Sequence, residues 1–245
     1  GFLCASISNI TGLTDLILYL SGLVKLTDEG YSKLVASISN LKELTSLKIH
    51  VKKCSKLTDK SLIQVGSKLL SSLKVLQELE LNFAECEKIT DQGLLTISKK
   101  LPTLEKMTGI GLRFQGSRKI TTLGITDLCT NLLKLHYRPI LQHPTNISCL
   151  RLEFSDNDNV KDGELNYLSA CISRMVYLNN LELRFLACEK LTDEGLKVLA
   201  VNLSYLVNLR ELRLVFDLSL KLTDNSIAAI SEVFGTVNKD RKSVV

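Results

Sequence analysis

Side chains able to do chemistry are present in this chain, but not at spacings that chemistry uses. Cys129, His136, His143 and Cys149 are its one concentration of potential metal ligands, separated by 7, 7 and 6 residues. A short zinc knuckle pairs its ligands about two to five residues apart. Cys129 also falls at a small helix position that should face a core, so no metal site is expected. Neither a GxGxxG string nor a phosphate-loop sequence occurs, so no backbone cradle for a phosphate, and no cofactor, is expected. No nucleophile elbow brings a Ser or Cys onto a base. The reading is of a protein without catalytic residues.

The elements that would have to position such residues are written seven times over. Each copy opens with an alternating apolar triplet: Leu16-Leu18-Leu20, Leu47-Ile49-Val51, Leu79-Leu81-Phe83, Ile110-Leu112-Phe114, Leu150-Leu152-Phe154, Leu181-Leu183-Phe185 and Leu212-Leu214-Phe216. The openings are 31, 32, 31, 40, 31 and 31 residues apart. Eleven residues after each opening stands Thr27, Thr58, Thr90, Thr121, Lys161, Thr192 or Thr223. A fixed period of this length means a stacked array.

Within one copy the period changes. Leu181, Leu183 and Phe185 alternate with Glu182, Arg184 and Leu186, the pattern of a short strand with one apolar face. Leu196, Leu199, Ala200 and Leu203 then recur at the spacing of one helical face. Thr192 and Asp193 between them supply an N-cap and a first-turn carboxylate. Gly30, Gly93 and Gly195 stand in the third position after Thr and are read as close packing at the helix start. A strand and a helix alone cannot bury both apolar faces. Stacked copies build a parallel sheet and a helical layer joined by right-handed crossovers.

The consensus LxxLxLxF-x-x-C-x-K-[L/I]-T-D-x-G-L resembles a leucine-rich repeat. It is closest to the cysteine-containing kind of F-box-type proteins, with a unit length nearer the ribonuclease-inhibitor kind. The resemblance implies an α/β solenoid, with a curved parallel sheet on the concave side and helices on the convex side. It would form a single domain over 1–245, with a partial repeat at 1–15 and full repeats starting near 16, 47, 79, 110, 150, 181 and 212. It also implies that partners bind on the concave face. Similar repeats serve as substrate-recognition parts of ubiquitin ligases, nuclease inhibitors and GTPase activators; no F-box stretch is present here.

Composition excludes other classes. No apolar run approaches a membrane span and no signal-peptide pattern opens the chain, so membrane insertion is not expected. Of the seven cysteines, Cys54, Cys86 and Cys188 share one repeat position, filled elsewhere by Leu23, Ser117, Asn157 and Ser219. That mixture reads as a small buried turn site holding free thiols, which points to an intracellular, cytoplasmic setting. The chain does not begin with Met, and a further strand due near residue 243 is replaced by the polar run NKDRKS. A piece of a longer protein, incorporated in a larger assembly, is the expectation. The formal charge of +5 is modest for this length.

The outward strand residues should form rows across the sheet. One runs Ile17, Lys48, Glu80, Gly111, Arg151, Glu182, Arg213, and the next Tyr19, His50, Asn82, Arg113, Glu153, Arg184, Val215. Acid and base nearly balance and stacking aromatics are few, so nucleic acid is not expected on this face. The residues taken as partner-binding are Tyr19, His50, Arg113, Glu153, Arg184 and Arg151. Tyr137, Ile140 and Leu141 join them from an inserted loop at 136–144, which carries Pro139 and Pro144 and has no repeat position to fill. A second stripe, Lys25, Lys56, Lys88, Lys119, Lys190 and Lys221, runs beside Asp28, Asp59, Asp91, Asp162, Asp193 and Asp224, and is expected to pair with it. The expected function is a non-catalytic protein–protein interaction scaffold whose partner is another protein.

Overall fold

The computed structural model describes residues 6–7, 9–136 and 147–232. Seven strands lie in one sheet in chain order: β1 (Asp15–Tyr19), β2 (Ser46–His50), β3 (Glu78–Asn82), β4 (Gly109–Arg113), β5 (Cys149–Glu153), β6 (Asn180–Arg184) and β7 (Glu211–Val215). Every neighbouring pair is parallel, and each opening residue faces the next: Leu16 with Leu47, Leu47 with Leu79, and so on to Leu181 with Leu212. Helices α1 (Asp28–Ile38), α2 (Asp59–Gln64), α3 (Asp91–Ser98), α4 (Thr122–His136), α5 (Asp162–Ile172) and α6 (Asp193–Ser204) pack in sequence behind the sheet. The chain is therefore an α/β repeat solenoid. Strands stack at about 4.8 Å whereas helices need about 10 Å, which puts the sheet on the inner wall of the curve.

The strands are shorter than the triplets. The third apolar residue of each copy falls one position past the strand end, yet it is buried in the five middle copies. Phe83, Phe114, Phe154, Phe185 and Phe216 form a stacked file there, with ring centroids 5.7–6.4 Å apart. Directly beyond, the chain turns through a left-handed residue in every copy: Gly22, Lys53, Glu85, Gly116, Asp156, Ala187 and Leu218. Only two of these are glycine, so the sequence carries no consistent local signal for the turn. The next residue caps it. Cys54, Cys86, Cys188 and Ser219 donate to a turn carbonyl of the preceding repeat at 3.3–3.5 Å. Asn157 does the same with its amide. In these five copies the residue at this site is a donor, whereas Ser117 is buried with no hydrogen-bond partner among the described residues and Leu23 has no donor to offer.

Helix starts are tied across repeats. Asp28, Asp59, Asp91, Asp162 and Asp193 each accept the backbone N–H (2.7–2.9 Å) and hydroxyl (2.5–2.7 Å) of the Thr one repeat on. Burial would raise the Asp28 carboxyl, but Ser61 and Thr58 hold it below its ordinary value. Four of these threonines, with Thr27, also cap their own helix. The recurrent glycine has its reason here: a Cβ on Gly93 would lie 2.5 Å from the Asp59 carboxylate, and Cβ atoms on Gly124 and Gly195 would run into Asp91 and Asp162. One junction lacks the ladder, and it lacks all three parts together. Thr122, Lys161 and Glu164 stand where Asp, Thr and Gly would, and Glu164 bonds both the Thr122 hydroxyl (2.6 Å) and the Lys161 amide (3.0 Å).

The second repeat is one residue longer, 32 against 31, and its helix absorbs the extra residue. After α2 the turns widen to a π-helical stretch, Val65–Leu69, before a last α-turn at Leu70–Ser72. Leu69, Leu70, Leu73 and Leu76 all stay buried as a result. The final stripe behaves differently: Ile227 is exposed, because among the described residues no further helix packs against it.

Candidate protein-interaction face

The outward side chains of the strands form the expected rows. Tyr19, His50, Asn82, Arg113, Glu153, Arg184 and Val215 are register partners in series, as are Ile17, Lys48, Glu80, Gly111, Arg151, Glu182 and Arg213. Tyr19 is 74% exposed and stacks obliquely on His50, with ring centroids 4.8 Å apart. Burial, with Arg113 and Lys48, holds the His50 imidazole below its ordinary pKa against the pull of Glu80, 3.5 Å from its Nε2.

Arg113 is the hub of the face. Its guanidinium meets Glu80 and Glu153 at 3.3 Å each and Glu182 at 3.7 Å. A glycine makes room for this: a Cβ at Gly111 would lie 2.9 Å from the Glu80 side chain. Glu182 is shared further, with Arg184 in direct contact and Arg151 at 3.9 Å. Burial alone would raise the Glu182 carboxyl; Arg184, Arg113 and Arg213 together hold it below the ordinary carboxylate range. Register neighbours thus pair in only half of the possible cases. Arg113 pairs with Glu153 and Arg151 with Glu182, but Arg184 turns to Glu182 instead of Glu153. Arg213 has no carboxylate within 4 Å among the described residues.

Tyr137, Ile140 and Leu141 lie outside the described residues; α4 runs to His136, the first residue of the expected insertion. His143, of the Cys/His group, is outside them too. Cys129 is fully buried, and no group of three His, Cys, Asp or Glu able to hold a metal ion occurs among the described residues. Nor is the lysine stripe paired as expected. Its six lysines are exposed, and five of the six aspartates beside them are engaged by threonines of the next repeat. Asn159, which interrupts the stripe, donates its amide to the carbonyls of Arg118 and Ile120.

The six described cysteines are free. Burial pushes the Cys86 thiol up to about 12 and that of Cys188 up to about 11, so both stay protonated at neutral pH and are poor nucleophiles. No helix among the described residues is long and apolar enough to cross a membrane.

No family model matches the chain, and no curated protein matches it. Among solved structures it is similar to a chain of the yeast Rad7 and Elc1 complex: 16% identity, TM-score 0.48, over 94% of this chain and 66% of that one. It is also similar to the Leiomodin-1 Actin-Binding Site 2, at 15% identity and TM-score 0.45 over 63% and 78% of the two chains. A third similarity is to the Caenorhabditis elegans tropomodulin C-terminal domain, at 12% identity and TM-score 0.47 over 70% and 92%.

Two features of the face lie outside the residues taken as partner-binding from the sequence. Glu80 and Glu182, 9% and 8% exposed, are the acceptors that organise the arginines; a diagonal step from Arg113 across the rows would have found them. Arg210, just before β7, joins Arg151 and Arg213 around an open depression of about 620 Å³. It stands two residues before its strand opening, outside the alternating rows that were read.

Proposed function

We propose that the chain is a non-catalytic protein-interaction scaffold that reads another protein with the outer face of its sheet. The observation that carries this is the face itself: seven in-register strands present ordered rows of Tyr, His, Arg and Glu side chains which no described helix covers. Binding energy in such interfaces concentrates on a few aromatic and arginine anchors. Tyr19, propped on His50, and the Arg113–Glu153–Arg184–Arg151 group supply those types in fixed positions. Tyr137, Ile140 and Leu141, from the insertion, are proposed as a second contact. The buried, protonated thiols suit a reducing, intracellular compartment.

The test is affinity purification of a partner on the immobilised chain, followed by affinity measurement with Tyr19→Ala. A loss of about tenfold or more is expected from removing an exposed aromatic anchor. Tyr167→Ala, on α5 behind the sheet, is expected to change nothing. Equal affinities for the chain and its Tyr19→Ala variant, with a loss for Tyr167→Ala, would move the partner to the helical side.

A further inference from the structure

We propose that the β5–β7 end of the sheet face is an acid-reading site, taking carboxylate side chains of an acidic segment in a protein partner. This rests on the scaffold reading above and narrows it to a place and a chemistry. The argument is one of charge left over. On the β3–β4 side, Arg113 is surrounded by Glu80, Glu153 and Glu182, so its charge is spent. On the β5–β7 side the same Glu182 must serve Arg184 and Arg151 as well. Arg213 and Arg210 are exposed and, among the described residues, neither has a carboxylate within 4 Å. Glu211, the remaining acid of the depression, is engaged by the Asn180 amide.

Arg151, Arg210 and Arg213 therefore converge on an open depression, lined also by Asn180 and Glu182, where Arg151 and Arg213 share the one Glu182 carboxylate and Arg210 has no carboxylate within 4 Å among the described residues. Guanidinium groups bind carboxylates in a two-pronged geometry. Glu182 and Glu211 stand inside the site and repel a continuous phosphate backbone. No aromatic side chain lines the depression for base stacking. A peptide, whose carboxylates can be spaced around those two acids, fits better than nucleic acid.

The probe is a fluorescein-labelled hexaglutamate peptide, followed by fluorescence anisotropy with the full 245-residue chain at low ionic strength. Saturable binding is expected, weakened at least tenfold by Arg210→Ser with Arg213→Ser, and weakened by salt as the Debye length shrinks. Both side chains are exposed, so thermal unfolding of this variant should match the parent and exclude misfolding as the cause. Lys190→Ser with Lys221→Ser, two exposed cations on the lysine stripe, should leave affinity unchanged. Equal loss in the lysine and arginine variants would overturn the proposal, as would no loss in the arginine variant. A labelled oligo-dT hexamer binding more tightly than hexaglutamate would reassign the site to phosphate. If a purified partner cross-links to the sheet face while hexaglutamate fails to bind, the acid-reading proposal falls and the scaffold reading stands. Cross-links confined to the helices remove the scaffold face itself, whatever the peptide does.

Discussion

At the scale of single residues, the least expected side chain is Tyr31. Other copies place Leu62, Leu94, Ile125, Leu165 or Leu196 at its position, and the pattern alone gives no sign of trouble. Tyr31 is fully buried, edge-on to Phe83 at 5.9 Å, and its hydroxyl has no hydrogen-bond partner among the described residues. Burial pushes its pKa far up, the electrostatic expression of the same isolation. Leaving a buried hydroxyl unsatisfied costs about 1–3 kcal/mol. Tyr31→Phe is therefore expected to stabilise the fold by about 1 kcal/mol, an increase of roughly 2–4 °C in Tm for a chain of this size, read by calorimetry. A lower Tm would mean that the hydroxyl has a partner. The charged rows were readable in sequence because strand register follows from the period. Side-chain direction was not: only three-dimensional reach makes Arg113 choose Glu80 and Glu182 as well as its lateral neighbour Glu153.

At the scale of elements, helix starts and strand openings were readable to within a residue, because Thr-Asp and the alternating leucines are local signals. What the Asp does was not local. Its partner lies about 30 residues away, so the capping reading saw the first-turn carboxylate and missed the inter-repeat bond. Gly195 and Asp162 test that bond. Asp162→Ala alone should cost about 2–3 kcal/mol, from two lost hydrogen bonds to a charged group. Gly195→Ala alone should cost about 1–3 kcal/mol by overpacking against that carboxylate. Together they should cost less than the sum by about 1 kcal/mol or more, read from urea midpoints. Simple additivity would mean that the glycine is there for another reason. The turn after each strand gives an independent prediction. Ala187 is held at φ 53°, where an L-residue pays about 1–2 kcal/mol and glycine returns about 0.5–1 kcal/mol of that in chain entropy. Ala187→Gly should stabilise by about 0.5–1 kcal/mol on the same measurement; a destabilised variant would show that the methyl group packs usefully.

For the whole molecule, the repeat period carried the architecture: seven strands, all parallel, in chain order, with helices on one side. The one-residue excess of the second repeat was visible as a spacing, but its resolution into a π-helical turn was not, since widening the helix or lengthening a loop are equally open to a sequence. The proposed function rests on the asymmetry of the two sides. The helical side buries its apolar stripe against the sheet, while the sheet's other face keeps a clustered set of arginines and glutamates and an exposed tyrosine in register. A photo-cross-linking amino acid, p-benzoylphenylalanine, placed at either of two exposed tyrosines compares those sides directly. Tyr19 stands on the sheet face and Tyr167 on α5, 74% and 42% exposed. Irradiation with a purified partner bound should give a covalent product from position 19 and none from position 167. A product from position 167 alone would contradict the assignment of recognition to the sheet.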